Sequence, residues 1–166
     1  MADAVRIQKW VLGGSLAVEF AGALILTLRF WPQYGFSQAI TWGVFHAVSA
    51  FCNAGFDIFG SLGPGQSIAV WNHDPVVCIT LMCLIIIGGL GFFVWEELVR
   101  VRNFRKFSIY TRLVLLTTGV LLLGGGMLML VLEWNNPQTL GQMPTGQKIL
   151  NGFFQAVTLR TAGFAS

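Results

Sequence analysis

The stretch FHAVSAFCNAGF, residues 45–56, is a short apolar segment that runs directly into a turn at residues 53–55. Together with the residues before it, it predicts a helix over residues 38–51. About 14 residues of α-helix rise only ~21 Å, which is less than the ~30 Å hydrocarbon core of a bilayer. Because long apolar segments flank this stretch on both sides, we expect a helix that enters a membrane part-way, turns and leaves again.

A second version of this stretch, FFQAVTLRTAGF, occupies residues 153–164. Aligned on Ala-Gly-Phe, the two copies are offset by 108 residues, the separation of Gly55 and Gly163. The helical parts align better with a one-residue shift, which pairs Ser49 with Thr158. The sequence therefore predicts two units of similar architecture, although the repeat is weak residue by residue.

The composition is that of a membrane protein. The chain is 55% hydrophobic and 10% charged, whereas about a quarter of the residues in soluble domains are charged. Its uncharged stretches reach the length needed to cross a bilayer, roughly 20 residues each. The three cysteines have neither zinc-site nor disulfide-scaffold spacing, and no cleavable signal sequence is expected. We expect a multi-pass protein of the bacterial plasma membrane, with the lipid bilayer as its surroundings.

The positive residues are concentrated near the start of the chain and between residues 100 and 112. By the positive-inside rule, both the N-terminus and a linker over residues 96–112 face the cytoplasm. Membrane topology alone would place cations in this way, so no nucleic-acid partner is expected.

The predicted elements form two units of unequal completeness. The first unit, residues 1–99, comprises a span over 10–30, a pore helix over 38–51, a filter over 52–56 and a second span over 76–95. After a cytoplasmic linker, 100–112, the second unit, 113–166, comprises a span over 113–132, a pore helix over 148–158 and a filter over 159–164. The expected fold class is an all-α membrane protein with three full spans and two re-entrant half-helices. Since the second unit has no closing span, we expect an incomplete part of a longer protein.

Two turns at membrane depth favour the passage of a cation. Irregular backbone is tolerated there only where it is buried or lines a watery cavity. A half-helix that enters from outside directs the negative end of its dipole at the membrane centre. The residues that follow can aim carbonyl oxygens at a dehydrated ion, with glycine where the turn needs a positive φ. The predicted ion-binding residues, acting through the backbone, are Cys52, Asn53, Ala54, Gly55, Arg160, Thr161, Ala162 and Gly163.

Other single residues carry expectations of their own. The Arg160 side chain is expected to brace the filter from behind, and His46 to pack or hydrogen-bond within its helix. Glu19 is expected to face protein, because a carboxylate exposed to lipid is costly. His73 and Asp74 are expected to be solvated in a polar outer loop. Glycines at 88–91 and 124–126 are expected to allow close helix contacts.

Several segments together resemble the membrane subunit of Ktr-type bacterial potassium transporters, in the Trk/Ktr/HKT superfamily. These are residues 45–56, Gly-Gly-Leu-Gly-Phe at 88–92 and Thr-Leu-Arg-Thr-Ala-Gly-Phe at 158–164. Trp-Glu-Glu-Leu at 95–98 and Lys-Phe-Ser at 106–108 are similar to the Ktr branch in particular. The resemblance implies four covalently joined units around one pore. Residues 1–99 then match the family's second unit, with Gly55 as its central filter glycine, and residues 113–166 match the front of its third unit, with Gly163 in that place.

The same resemblance implies a function and partners. It implies potassium uptake across the plasma membrane, with K+ at the filter residues and Na+ as a coupling or activating ion in many members. It also implies a homodimeric membrane part on a cytosolic nucleotide-binding ring (KtrA-like), for which the linker is a contact candidate. No cofactor is expected.

Three alternatives to a potassium pore stay open. Another cation channel would share the same layout. A carrier with broken helices at the midplane usually has inverted repeats, whereas the repeats here are parallel in topology. A membrane enzyme or metal carrier based on His46, Cys52 and Asp57 would need a ligand spacing that no established zinc site uses. We therefore expect no enzymatic activity and no resident metal.

Overall fold

The computed structural model describes residues 2–63, 67–101 and 103–164. Six α-helices are found there: α1 (Ala2–Tyr34), α2 (Phe36–Phe51), α3 (Pro75–Leu90), α4 (Phe92–Val101), α5 (Ile109–Glu133) and α6 (Thr145–Val157). Short 3₁₀ turns occur at Phe59–Leu62, Ile68–Trp71 and Phe104–Lys106, and one π-helical turn at Thr158–Ala162. With no strand among the described residues, the all-α class is confirmed.

Two helices are long and apolar enough to cross a membrane. They comprise Ile7–Tyr34, 28 residues of mean hydropathy 1.9, and Ile109–Glu133, 25 residues of mean hydropathy 2.2. The first helix continues beyond residue 30, the predicted end of the span, passes through Pro32 and ends at Tyr34. Gly35, with a φ of 77°, turns the chain directly into α2. The chain is thus an integral membrane protein.

Helix α2 returns along α1 and packs closely on it. A Cβ on Gly43 would collide with the Thr27 hydroxyl and lie 2.9 Å from the carbonyl oxygen of Ala23. The contact therefore requires a glycine at this crossing. With 16 residues, α2 rises only ~24 Å, which is less than the ~30 Å hydrocarbon core of a bilayer.

The predicted span over residues 76–95 is not one helix. Helices α3 and α4 meet at an angle of 96°, at Gly91 with a φ of 87°. The indole N–H of Trp95 donates to the carbonyl oxygen of Ile87 at 2.8 Å, so one of the carbonyls freed by the break is bonded again. Trp95 also contacts the ring of Phe51, at 5.6 Å between ring centroids. The linker helix α4 is therefore joined to the inner end of α2.

The second unit packs α6 against α5 through glycines. A Cβ on Gly126 would lie 2.6 Å from the Phe153 ring, and one on Gly152 would lie 2.7 Å from the Leu130 side chain. Helix α5 runs through residues 124–126 without interruption. Gly126 therefore serves a helix contact, and the group does not kink α5.

The outer loop of the first unit is partly a core element. Phe59 and Trp71 are almost fully buried and pack on Phe30, at centroid distances of 5.7 and 4.9 Å. Trp42 lies 4.8 Å from the Phe59 ring. These aromatic rings close the outer end of the space between α1 and α2.

The expectation that Asp74 is solvated is wrong. Asp74 is only 3% exposed, because it caps α3 by accepting hydrogen bonds from the backbone N–H groups of Val76 and Val77. Its second oxygen lies 2.5 Å from Nε of Arg29. His73 is exposed, as expected, with its ring stacked 6.2 Å from that of Trp71.

Candidate functional site

The first turn follows α2 and contains two left-handed residues. Asn53 has a φ of 53° and Gly55 a φ of 71°. The N–H of Ala54 donates to the carbonyl oxygen of Ser49 at 2.9 Å, and the N–H of Asn53 to that of Ala50 at 3.1 Å. This pair of bonds, with a left-handed residue between them, is a Schellman helix ending. Asparagine is one of the few residues besides glycine that adopts such a φ readily.

The second turn ends its helix differently. After α6, the π-helical turn carries the chain to Ala162, and Gly163 takes the left-handed conformation with a φ of 74°. The N–H of Gly163 donates to the carbonyl oxygen of Thr158 at 2.8 Å. The left-handed residue that ends α2 is therefore Asn53, whereas the one that ends the second helix is Gly163 itself. Gly55 and Gly163 thus lie at different distances from their helices, which accounts for the one-residue shift between the helix alignment and the glycine alignment.

Each turn is tied back to its own helix by a hydroxyl group. The Ser49 hydroxyl donates to the carbonyl oxygen of Phe56 at 2.7 Å. The Thr158 hydroxyl donates to that of Phe164 at 3.0 Å. Ser49 and Thr158 were aligned from the sequence, but no role was predicted for either. A hydroxyl residue at the same helical position in both copies is the sequence pattern that could have indicated this bond.

The two turns lie against each other. A Cβ on Gly55 would collide with the carbonyl oxygen of Ala162 and lie 3.3 Å from the carbonyl carbon of Gly163. The Thr161 hydroxyl donates to Oδ1 of Asn53 at 2.5 Å. Segments that are 108 residues apart in sequence thus meet at one place.

Helix α3 supports this place from one side. A Cβ on Gly88 would collide with the carbonyl oxygen of Phe51 and lie 3.2 Å from Nδ2 of Asn53. A Cβ on Gly89 would lie 2.5 Å from a guanidinium nitrogen of Arg160. The Arg160 side chain therefore lies between its own turn and α3, as a bracing role requires.

The predicted site residues differ in their exposure. Ala54, Thr161 and Gly163 are exposed, whereas Ala162 is buried. Cys52 is exposed and forms no disulfide. Carbonyl groups on both turns are therefore near the surface of this chain, and their binding of an ion stays a prediction.

The rival metal site is not assembled. Throughout the described part of the chain, no three His, Cys, Asp or Glu side chains come together in a way that could hold a metal ion. His46 is fully buried, with Nδ1 at 2.7 Å from the carbonyl oxygen of Trp42. Its ring stacks on Phe59 at 4.5 Å. His46 thus has the packing and hydrogen-bonding role expected of it.

The linker between the units is held by one carboxylate. Glu97 of α4 accepts hydrogen bonds from the hydroxyl and the N–H of Ser108, at 2.6 and 2.5 Å. These bonds, the one from the hydroxyl above all, lower the pKa of the Glu97 carboxyl below its usual value. Arg105 and Lys106 are exposed beside this contact. Arg102, also predicted to belong to the basic group, lies outside the described residues.

The fold and the site define an integral membrane protein with two short helix–turn units whose turns meet. The TrkH family model, described as a cation transport protein, matches residues 12–166. The chain belongs to this family.

Curated relatives are similar over nearly the whole chain. The Ktr system potassium uptake protein B of Bacillus subtilis is 43% identical over 92% of this chain and 33% of its own length. The protein of the same name from Vibrio alginolyticus is 38% identical over 97% of this chain and 35% of its own length. The potassium/sodium uptake protein NtpJ of Enterococcus hirae is 34% identical over 100% of this chain and 36% of its own length. All three are named as transport proteins, and the chain spans about a third of their length.

Proposed function

We propose that this chain supplies two filter strands, with their pore helices, to a potassium-uptake pore in the plasma membrane. The observation that carries the proposal is the meeting of the two turns, with Gly55 directly against the carbonyl group of Ala162. Irregular backbone at membrane depth is tolerated only where it is buried in protein or lines a watery cavity. Exposed residues on both turns, Ala54 and Gly163 among them, favour a cavity shared by the two units. Relatives named as potassium uptake proteins support K+ as the transported ion.

The chemistry follows from helix ends and carbonyl groups. Both α2 and α6 end at the turns, so the negative ends of two helix dipoles are directed at the same place. The carbonyl groups of residues 52–55 and 160–163 replace water around a dehydrated ion. The Ser49 and Thr158 hydroxyls hold the carbonyls of Phe56 and Phe164 towards the pore helices. The ion therefore meets the carbonyls that come before each phenylalanine.

The partners proposed for the protein are those of the Ktr branch. The membrane part is a homodimer that sits on a cytosolic nucleotide-binding ring (KtrA-like). The exposed basic residues of the linker, Arg105 and Lys106, supply the contact with the ring. Na+ acts as a coupling or activating ion.

Substitution of Gly55 tests the filter. In Gly55→Ser, the new side chain meets the Ala162 carbonyl, and the φ of 71° is strained for a residue with a Cβ. We expect a higher K+ concentration at half-maximal uptake and weaker discrimination against Na+. The measurement is cation uptake and potassium-limited growth in a bacterial strain that lacks its own potassium uptake systems and produces the protein containing these residues.

Gly60→Ser is the matched control. Gly60 lies in the outer loop, where a Cβ would meet nothing within 4 Å, so uptake should stay at the wild-type level. Wild-type selectivity in Gly55→Ser, at equal amounts of protein in the membrane, would contradict the filter assignment.

A further inference from the structure

We propose that the side chains of Asn53 and Thr161 form a bridge that fixes the distance between the two filter strands and thereby sets the discrimination between K+ and Na+. This inference rests on the proposed function, because it concerns the spacing of the same carbonyl groups. It adds two side chains to a site that was otherwise assigned to the backbone alone.

The bridge is a continuous chain of hydrogen bonds. The Thr161 hydroxyl donates to Oδ1 of Asn53 at 2.5 Å. Nδ2 of Asn53 donates to the carbonyl oxygen of Phe51 at 3.2 Å. Phe51 is the last residue of α2. Asn53 therefore connects the end of one pore helix with the filter strand of the other unit.

In the alignment on Ala-Gly-Phe, the bridge joins matching positions of the two copies, since Asn53 and Thr161 are 108 residues apart, as Gly55 and Gly163 are. In a ring of units, one unit normally contacts the next through different patches of surface. Equivalent positions can touch only near the axis around which the units are arranged. The bridge therefore lies beside the ion pathway rather than at the periphery of the protein.

The bridge rests on a rigid support. The carbonyl group of Phe51 lies directly on the α3 backbone at Gly88, where a Cβ would collide with it. Nδ2 of Asn53 lies beside the same glycine. The position of Asn53 is thus set by a helix backbone, and the Thr161 hydroxyl transmits that position to the second strand.

The distance between the two filter strands matters because it affects ion selectivity. Discrimination between alkali ions depends on the number and arrangement of carbonyl oxygens around the ion. If the second strand moves relative to the first, the carbonyl oxygens of the two strands change their positions around a bound ion. Loss of the bridge should therefore affect discrimination more than the maximal rate of uptake.

Thr161→Val is the decisive variant, because valine keeps the shape of threonine and removes the donor. The protein containing these residues is produced in a bacterial strain without its own potassium uptake systems. Uptake of K+ and Na+ is measured over a range of concentrations. Loss of one hydrogen bond predicts an about five- to tenfold fall in K+ preference over Na+, with the maximal rate changed less than twofold. Thr161→Ser, which keeps the hydroxyl, restores the preference.

Two further variants make the result unambiguous. Asn53→Ala removes the acceptor, so it should reduce the preference as much as Thr161→Val does, and the double variant should lose no more than either single one. Thr80→Val is the control, because the Thr80 hydroxyl donates to the carbonyl oxygen of Val76 in its own helix and takes no part in the bridge. The amount of folded protein in the membrane is measured for each variant.

The outcomes separate this inference from the function on which it rests. A wild-type preference in Thr161→Val, or an equal loss in Thr161→Ser, overturns the bridge. Additive losses in the double variant also overturn it. If Gly55→Ser impairs selectivity while Thr161→Val does not, the filter assignment is supported and the role of the bridge in selectivity is rejected. If neither variant changes selectivity, the filter assignment itself is wrong.

Discussion

The buried carboxylate of Asp74 joins the start of α3 to α1. It caps the N-terminus of α3 through Val76 and Val77 and forms an ion pair with Arg29 of α1. Arg29 also lies 5.7 Å from the centre of the Trp71 ring. Because Asp74 is buried, removing its charge leaves the helix end uncapped and the cation unpaired.

Asp74→Ala should lower the free energy of unfolding by about 2 kcal/mol or more, since it removes a cap and an ion pair together. Asp74→Asn should cost less, because asparagine still accepts from the N–H groups of Val76 and Val77. The measurement is denaturant unfolding of the protein in detergent micelles. Glu96→Gln is the control, because its pair with Arg100 is 3.8 Å long and exposed and contributes at most about 1 kcal/mol. Equal stability of Asp74→Ala and Glu96→Gln would contradict this account.

At the scale of elements, glycine allows the two half-helices to pack. Gly43 lets α2 approach α1, Gly88 lets α3 support the end of α2, and Gly126 lets α6 approach α5. Gly91 has a different role. A Cβ there would meet nothing within 4 Å, but its positive φ allows the bend between α3 and α4. Small residues therefore bring helices together at three places and turn the chain at a fourth.

Neighbouring glycines in α5 offer a direct test of this packing. In Gly126→Ala, the new methyl group meets the Phe153 ring, which should move α6 and cost about 1–3 kcal/mol of stability. In Gly124→Ala, nothing lies within 4 Å, so helix propensity alone should stabilise α5 by up to about 1 kcal/mol. Thermal unfolding in detergent compares the two variants. If both are equally stable, α6 does not depend on this contact.

Some elements could be predicted from the sequence and others could not. The apolar run over 76–95 carries no polar interruption, so its hydropathy could not reveal the break at Gly91. The aromatic rings of Phe59 and Trp71 stand in a loop rich in polar residues, where no periodicity marks them as buried. The half-helix before Asn53 was visible because it depends on length and hydropathy, which are local properties.

At the scale of the whole molecule, the linker connects the two units on the face predicted to be cytoplasmic. Ser108 caps α5 and bonds to Glu97 of α4, so the end of one unit is fixed to the start of the next. Through Trp95, α4 also contacts Phe51 at the end of α2. A protein bound to the linker would therefore lie close to residues that contact the first turn.

Neutralising the exposed linker cations tests the proposed partner. Arg105→Gln combined with Lys106→Gln should reduce co-purification of a KtrA-like ring by about tenfold, because two exposed cations of the proposed contact are lost. Membrane insertion should not change. Lys9→Gln is the control, because Lys9 is exposed on the same predicted side. Full binding of the ring by the double variant would exclude this part of the linker as the contact.

The membrane setting, the two short helices with their repetition, and the positions of both turns can be predicted from the sequence, because they follow from the length and polarity of continuous segments. Four features come from the folded chain: the turns meet, Thr161 bonds to Asn53, Asp74 is buried and the second predicted span bends. Each of these depends on contacts between residues far apart in the chain, whose geometry is set by helix packing rather than by local sequence.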